Sequence, residues 1–299
     1  MEQYIHEILC KLIFNYLNFY DKHKFQKINR YANKIHIIDL WSIDRNFLSG
    51  LDDNKLKNYK YCVRLKAYNS QHITDINHLE KLKELDVSGF YCGINDEGII
   101  NLTNLENLDV SYNAKITNIN HMTKLKELYA SGFYCGINNE EIINLTNLEK
   151  LDASNNAKIT NINQMTKLKE LYGSSCGINN EGIINIKNLE ILSVPDVSNI
   201  TDINHMTKLK KIYVSGSCGI NNEGIINLNN LEVLGAYNNS KITNINHMTK
   251  LKELYALGTC GINNEGIINL TELEKLDTRN NPKITNINHM KKLKVLNAS

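Results

Sequence analysis

Apolar residues return along most of this chain in one fixed frame. Leu105, Leu108 and Val110 are followed by Asn113, Ile116 and Ile119. The same spacing recurs at Leu148, Leu151, Ala153, Asn156, Ile159 and Ile162, and at Leu231, Leu234, Ala236, Asn239, Ile242 and Ile245. Frames open at 62, 82, 105, 125, 148, 168, 189, 209, 231, 251, 273 and 293, with spacings of 20 to 23 residues. Alternation of apolar positions four and six predicts a short strand, with the fifth side chain on its opposite face. One frame buries too few side chains to offset the ordering of its own backbone, so neighbouring frames must stack and share a hydrogen-bond ladder.

Two kinds of frame alternate. Those at 105, 148, 231 and 273 contain segments such as Lys115-Ile116-Thr117-Asn118-Ile119-Asn120, too short and too irregular for a helix. Those at 82, 125, 168, 209 and 251 contain segments such as Gly177-Ile178-Asn179-Asn180-Glu181-Gly182-Ile183-Ile184. There an Asn or Asp can cap a helix. The spacing predicts two to three helical turns that bury both isoleucines.

The pattern L-x-x-L-x-L-x-x-N-x-x-I-x-x-I resembles the leucine-rich repeat family, and the second kind of frame resembles its cysteine-containing class. The resemblance spans residues 62–299. It implies an α/β fold, a leucine-rich repeat solenoid with a curved parallel sheet. Short helices would alternate with irregular segments on the convex side, and a small helical module would come first. The last frame stops after Leu293-Lys294-Val295-Leu296 without a polar cap. Self-association through that C-terminal sheet edge is therefore an expectation.

Residues 1–45 lack the frame. Ile8, Leu12 and Phe14 to Leu17 form a helical apolar stripe, and Phe25 and Ile28 begin another. Glu7, Ile8, Leu9, Ile13, Tyr16, Leu17, Asp21 and Ile28, with Arg30, resemble an F-box, the helical module that docks onto the adaptor subunit of cullin–RING ubiquitin ligases. Tyr4-Ile5 stands where that family has Leu-Pro. The alternative is a helical cap over the first strand. Ile35 to Leu40 reads as an irregular entry strand, and residues 46–61 as a polar connector or first convex segment.

Composition narrows the function classes. With 34 basic and 32 acidic side chains the formal charge is only +2, which argues against a nucleic-acid partner held by bulk electrostatics. No apolar run is long enough for a membrane span. Met1-Glu2-Gln3-Tyr4 does not open a signal peptide. Five cysteines (92, 135, 176, 218 and 260) recur every second frame. They therefore lie about 10 Å apart along a stack, too far to pair or to share a zinc ion. Buried free thiols and a reducing, cytoplasmic setting are expected. His78, His121, His205, His247 and His289 share one frame position, which Gln164 fills once, so they read as polar turn residues. Sequons at Asn101, Asn144, Asn199, Asn238 and Asn269 read as by-products of an Asn- and Thr-rich repeat. Two prolines and heavy use of Asn, Lys and Ile fit an AT-rich genome, such as that of a large DNA virus or an amoeba. No catalytic motif appears, so no enzyme activity, cofactor or metal is expected.

The fifth frame position faces outward on the concave side. Its column includes Asp109, Tyr129, Asp152, Tyr172, Tyr213, Tyr255 and Asp277. Tyr offers contact area and a hydroxyl at low entropic cost, so this column is the expected partner-binding face. A purely structural role, stiffening the sheet, remains the competing reading. The second position alternates Glu106, Lys126, Glu149, Lys169, Glu190, Lys210, Glu232 and Lys252, which predicts weak cross-layer pairs. The leading expectation is a non-catalytic substrate receptor: the N-terminal module on a ligase adaptor, the concave face on a target protein. The alternative is a plain interaction scaffold.

Overall fold

The strands stack in parallel, in chain order, with the frame leucines in register. The computed structural model describes residues 38–41 and 50–298. The F-box-like positions Glu7, Ile8, Leu9, Ile13, Tyr16, Leu17, Asp21 and Ile28 lie outside the described residues. The chain forms two compact units, Met1–Leu125 and Lys126–Ser299.

In the first unit, β1 (Ile38–Leu40), β2 (Cys62–Lys66), β3 (Glu84–Asp86) and β4 (Asn107–Asp109) pair successively, aligning Leu65, Leu85 and Leu108. In the second, β5 (Glu127–Tyr129), β6 (Lys150–Asp152), β7 (Glu170–Tyr172), β8 (Ile191–Ser193) and β9 (Lys211–Tyr213) pair in order. The sheet continues through β10 (Val233–Gly235), β11 (Glu253–Tyr255), β12 (Lys275–Asp277) and β13 (Val295–Asn297). One aliphatic column from Leu128 to Leu276 is fully buried along this unit, whereas Val295 and Leu296 on β13 are exposed.

Each strand is short because the chain turns at a fixed place. The eighth residue of every frame from 62 to 273 has positive φ: Asn69, Gly89, Tyr112, Gly132, Asn155, Ser175, Asp196, Gly216, Asn238, Gly258 and Asn280. Gly and Asn adopt that conformation at low cost, which explains their prevalence there.

The convex side corrects one expectation. The Asn caps are present, as in Asn179 accepting from the Gly182 N–H at 2.9 Å, but the helices are single turns. They comprise α1 (Asp53–Leu56), α2 (Asn139–Ile142), α3 (Asn180–Ile183) and 3-10 turns at Lys57–Tyr59, Glu97–Ile99, Glu223–Ile225 and Glu265–Ile267. Only the first isoleucine of each pair is buried. Ile100, Ile143, Ile184, Ile226 and Ile268 are 59–61% exposed. The cause is the next anchor: Leu102, Leu145, Ile186, Leu228 and Leu270 enter the core three residues after the first isoleucine. Their N–H groups bond back to its carbonyl. A second turn would carry that anchor away from the core.

Asparagine, read above as compositional bias, stitches the layers. Buried Asn113, Asn156, Asn239 and Asn281 each donate to two carbonyls of the preceding frame and accept an N–H from their own turn. A second ladder runs on the convex side. Asp53, Asp96, Asn139, Asn180, Asn222 and Asn264 accept from the backbone N–H of Thr74, Thr117, Thr160, Thr201, Thr243 and Thr285, one frame on.

Candidate protein-interaction surface

The fifth-position column lies where expected, between two buried anchors, but most of its polar groups are committed within the chain. Tyr129, Tyr172 and Tyr255 are half-buried, and each hydroxyl donates to the Glu two residues earlier: Glu127 at 3.1 Å, Glu170 at 3.2 Å and Glu253 at 2.7 Å. The Lys150 ammonium sits between two rings, 5.4 Å from Tyr129 and 5.5 Å from Tyr172, and 3.4 Å from Glu170. Lys275 lies 5.0 Å from the Tyr255 ring. Burial and the neighbouring carboxylates push the Tyr129 and Tyr172 hydroxyls above the usual tyrosine range. Lys275 pulls the Tyr255 hydroxyl down, yet Glu253 and burial together raise it.

The aspartates are committed locally as well. Asp109 and Asp152 accept the N–H two residues on, from Ser111 and Ser154, each at 2.9 Å. Asp277 is only 3% exposed, and the Arg279 guanidinium grips both its oxygens at 3.0 and 2.9 Å. Burial opposes ionisation of Asp277, but Arg279 outweighs it and holds the carboxyl below the usual range.

Tyr213 is different. Among the described residues its hydroxyl has no hydrogen-bond partner. Its ring leans over β10, where a Cβ on Gly235 would lie 2.6 Å from the Tyr213 Cδ1. Gly at 235 is what lets that ring lie flat.

No protein-family model matches this sequence, and no curated protein matches it. Solved structures do. The chain is similar to an internalin, InlF, from Listeria monocytogenes (TM-score 0.51, 23% identity, 82% of this chain and 70% of that one). It is similar to the functional domain of InlJ from the same organism, which includes a cysteine ladder (0.52, 18%, 84% and 66%). It is also similar to TLR13 in its complex with ssRNA13 (0.55, 19%, 81% of this chain), of which it spans 44%. With the strand register and the left-handed turns, these likenesses decide the architecture. The fold is that of the leucine-rich repeat proteins.

Within that fold the predicted charge column forms as read. Lys169 pairs with Glu149 and Lys210 with Glu190, both at 2.6 Å, and Lys252 pairs with Glu232 at 2.8 Å. Hydrogen bonds from these lysines lower the three carboxyls, though solvent screens pairs so exposed. The six described cysteines are free, and all but Cys176 are buried. Burial pushes Cys62 up to about 12 and Cys176 up to about 11. His121, His205, His247 and His289 bond a carbonyl one frame back through Nε2, as His205 does to Ile183 at 3.0 Å, whereas the buried Nε2 of His78 has no such partner among the described residues. Gln164 makes the same bond to Ile142, so no imidazole chemistry is needed there.

Tyr68 stands at the seventh frame position of the outward face, as the sequence places it, but sequence reasoning missed the aromatic patch that surrounds it in the first unit. Tyr68, Phe90, Tyr91 and Tyr112 are 47%, 57%, 65% and 38% exposed, and the Phe90 and Tyr112 rings meet at 5.3 Å. Phe90 and Tyr91 follow the left-handed Gly89, beyond the strand columns on which the reading rested. The available signal was the contrast between Gly89-Phe90-Tyr91-Cys92 and Ser175-Cys176, the same turn without aromatics.

Proposed function

We propose that the chain is a non-catalytic protein-binding scaffold, and that the ridge of Tyr68, Phe90, Tyr91 and Tyr112 is a contact surface. The exposure of this ridge carries the reading. At about 200 Å² per ring, the four side chains offer on the order of 400 Å² of accessible aromatic surface. A patch of that size matches the largest on a typical folded monomer, and such patches are often functional. The strand-face tyrosines support the reading less, because Tyr129, Tyr172 and Tyr255 already bond their own glutamates.

The F-box-like run Glu7-Ile8-Leu9 with Ile13, Tyr16, Leu17, Asp21 and Ile28 supports a more specific role. In it, residues 1–45 dock a ligase adaptor and the repeats hold a target for ubiquitination. The scaffold then acts by raising effective concentration. One capture experiment tests both parts. Proteins retained by the intact chain are compared with those retained by Phe90→Ala/Tyr91→Ala/Tyr112→Ala and by Ile8→Asp/Leu17→Asp. The first variant is expected to lose its target and keep the adaptor, and the second to do the reverse, with thermal midpoints unchanged for the first. An unchanged set of captured proteins in the aromatic variant overturns the contact surface. A folded chain that never retains an adaptor overturns the ligase role.

A further inference from the structure

The sheet face of the second unit changes character over three consecutive strands. On β5 to β7 and on β11 to β12, the third and fifth frame positions carry Glu or Lys beside Tyr or Asp, tied to one another as described above. On β8 to β10 the same positions hold Ile191 and Ser193, Lys211 and Tyr213, Val233 and Gly235. The register places Ile191 and Val233 on either side of Lys211, and Ser193 and Gly235 on either side of Tyr213. At these two positions the flanks of the strip carry no charge.

Lys211 is exposed, and among the described residues its ammonium has no ion-pair or hydrogen-bond partner. Its charge contributes only weakly to lowering the Glu232 carboxyl, which is already paired with Lys252 at 2.8 Å. At the same frame position, Lys150 and Lys275 each meet both a Glu and a Tyr. Lys211 meets neither: its strand neighbours are aliphatic, and the hydroxyl two residues on is unused. An ammonium and a phenol on one strand, walled by two aliphatic side chains, form a donor pair without an internal acceptor.

We propose that Lys211 and Tyr213 anchor a carboxylate of a partner protein, an Asp or Glu in an extended segment whose neighbouring apolar side chain packs on the half-buried Ile191. Lys211 supplies charge complementarity and Tyr213 a directed hydrogen bond. The third and fifth positions of β8 and β10 are uncharged, and the nearest carboxylates of those frames, Glu190 and Glu232, are already paired with Lys210 and Lys252. This anchor rests on the reading of the chain as a protein-binding scaffold. It is a separate site from the aromatic ridge, so either can fail alone.

The test selects a random displayed peptide library on the intact chain. Recovered peptides are expected to share an acidic residue beside an aliphatic or aromatic one. They should lose at least about tenfold in affinity on Lys211→Glu, the loss expected when a charge-assisted contact becomes repulsive. Tyr213→Phe should cost several-fold, and selection on the Lys211→Glu chain should recover basic peptides instead. Lys208→Glu, a neighbouring exposed lysine that bonds Asn188, is expected to leave affinity unchanged. Failure to recover peptides, a consensus without an acidic residue, or an equal loss from Lys208→Glu would overturn the anchor. Capture that still depends on Phe90, Tyr91 and Tyr112 would leave the scaffold reading standing in each case.

Discussion

Asn239 shows how much one side chain does in this chain. It is fully buried, donates to Val214 at 2.8 Å and Ile220 at 3.2 Å, and accepts from the Lys241 N–H at 2.9 Å. Asn239→Ala strands three backbone groups in the core, and unsatisfied buried groups cost roughly 1–3 kcal/mol each before water relieves them. We expect a loss of at least about 2 kcal/mol in urea unfolding; a loss within error would mean that water replaces the amide. The thiols make a second prediction. Their ordinary value of 9.0 is raised by burial in the folded chain, to about 12 at Cys62 and about 11 at Cys176. Above pH 9 the unfolded chain releases thiol protons that the folded chain retains. Stability from this source is therefore complete below pH 9 and is lost as pH rises toward 12. Unfolding followed across that range, with and without Cys62→Ala, checks the sign: the wild type should fall more steeply. The slope is on the order of 1 kcal/mol per pH unit for each such thiol.

At the scale of elements, the strands were legible and the turns were not. Position four of each frame is apolar in every strand, so hydrophobic spacing located β2 to β13 directly. The same spacing says which residues are buried, not how many hydrogen-bonded turns lie between them. Ile183-Ile184 reads as a helical pair, yet Ile186 pulls the chain inward after one turn and leaves Ile184 in solvent. The left-handed eighth residue was equally hidden, because Asn, Ser, Asp, Gly and even Tyr112 fill it. Gly182 tests how tightly the single turns seat. A Cβ there would lie 2.0 Å from the Thr160 carbonyl oxygen. In a free helix Gly→Ala stabilises by up to about 1 kcal/mol. Here overpacking reverses the sign, and Gly182→Ala is expected to cost roughly 1–3 kcal/mol. A raised thermal midpoint would show that the layers have slack.

At the scale of the whole molecule, sequence reasoning located the outward column of the sheet and read only part of its chemistry. It placed Tyr129, Tyr172, Tyr213 and Tyr255 in one column, which holds. It could not see that three of the four hydroxyls are bound by their own strands, since Glu at i−2 reads equally as a free charge. Nor could it see Asp277 sealed by Arg279, because a carboxylate in an outward column carries no mark of burial. Phe90 and Tyr91 escaped because they lie in the turn, outside the strand columns, although the pair recurs as Phe133 and Tyr134. The two contact sites proposed above differ in this respect: the aromatic turn of the first unit recurs in the second, at Phe133 and Tyr134, which are equally exposed, whereas β8 to β10 depart from the repeated pattern.

The alternation of Glu149, Lys169, Glu190, Lys210, Glu232 and Lys252 has a consequence for how such a chain changes length. Excising residues 168–188 would bring Glu149 against Glu190, whereas excising 168–208 would restore Glu149 to a lysine, Lys210. Growth and loss are thereby quantised: this polypeptide can shed or copy its coils only two at a time without setting like against like.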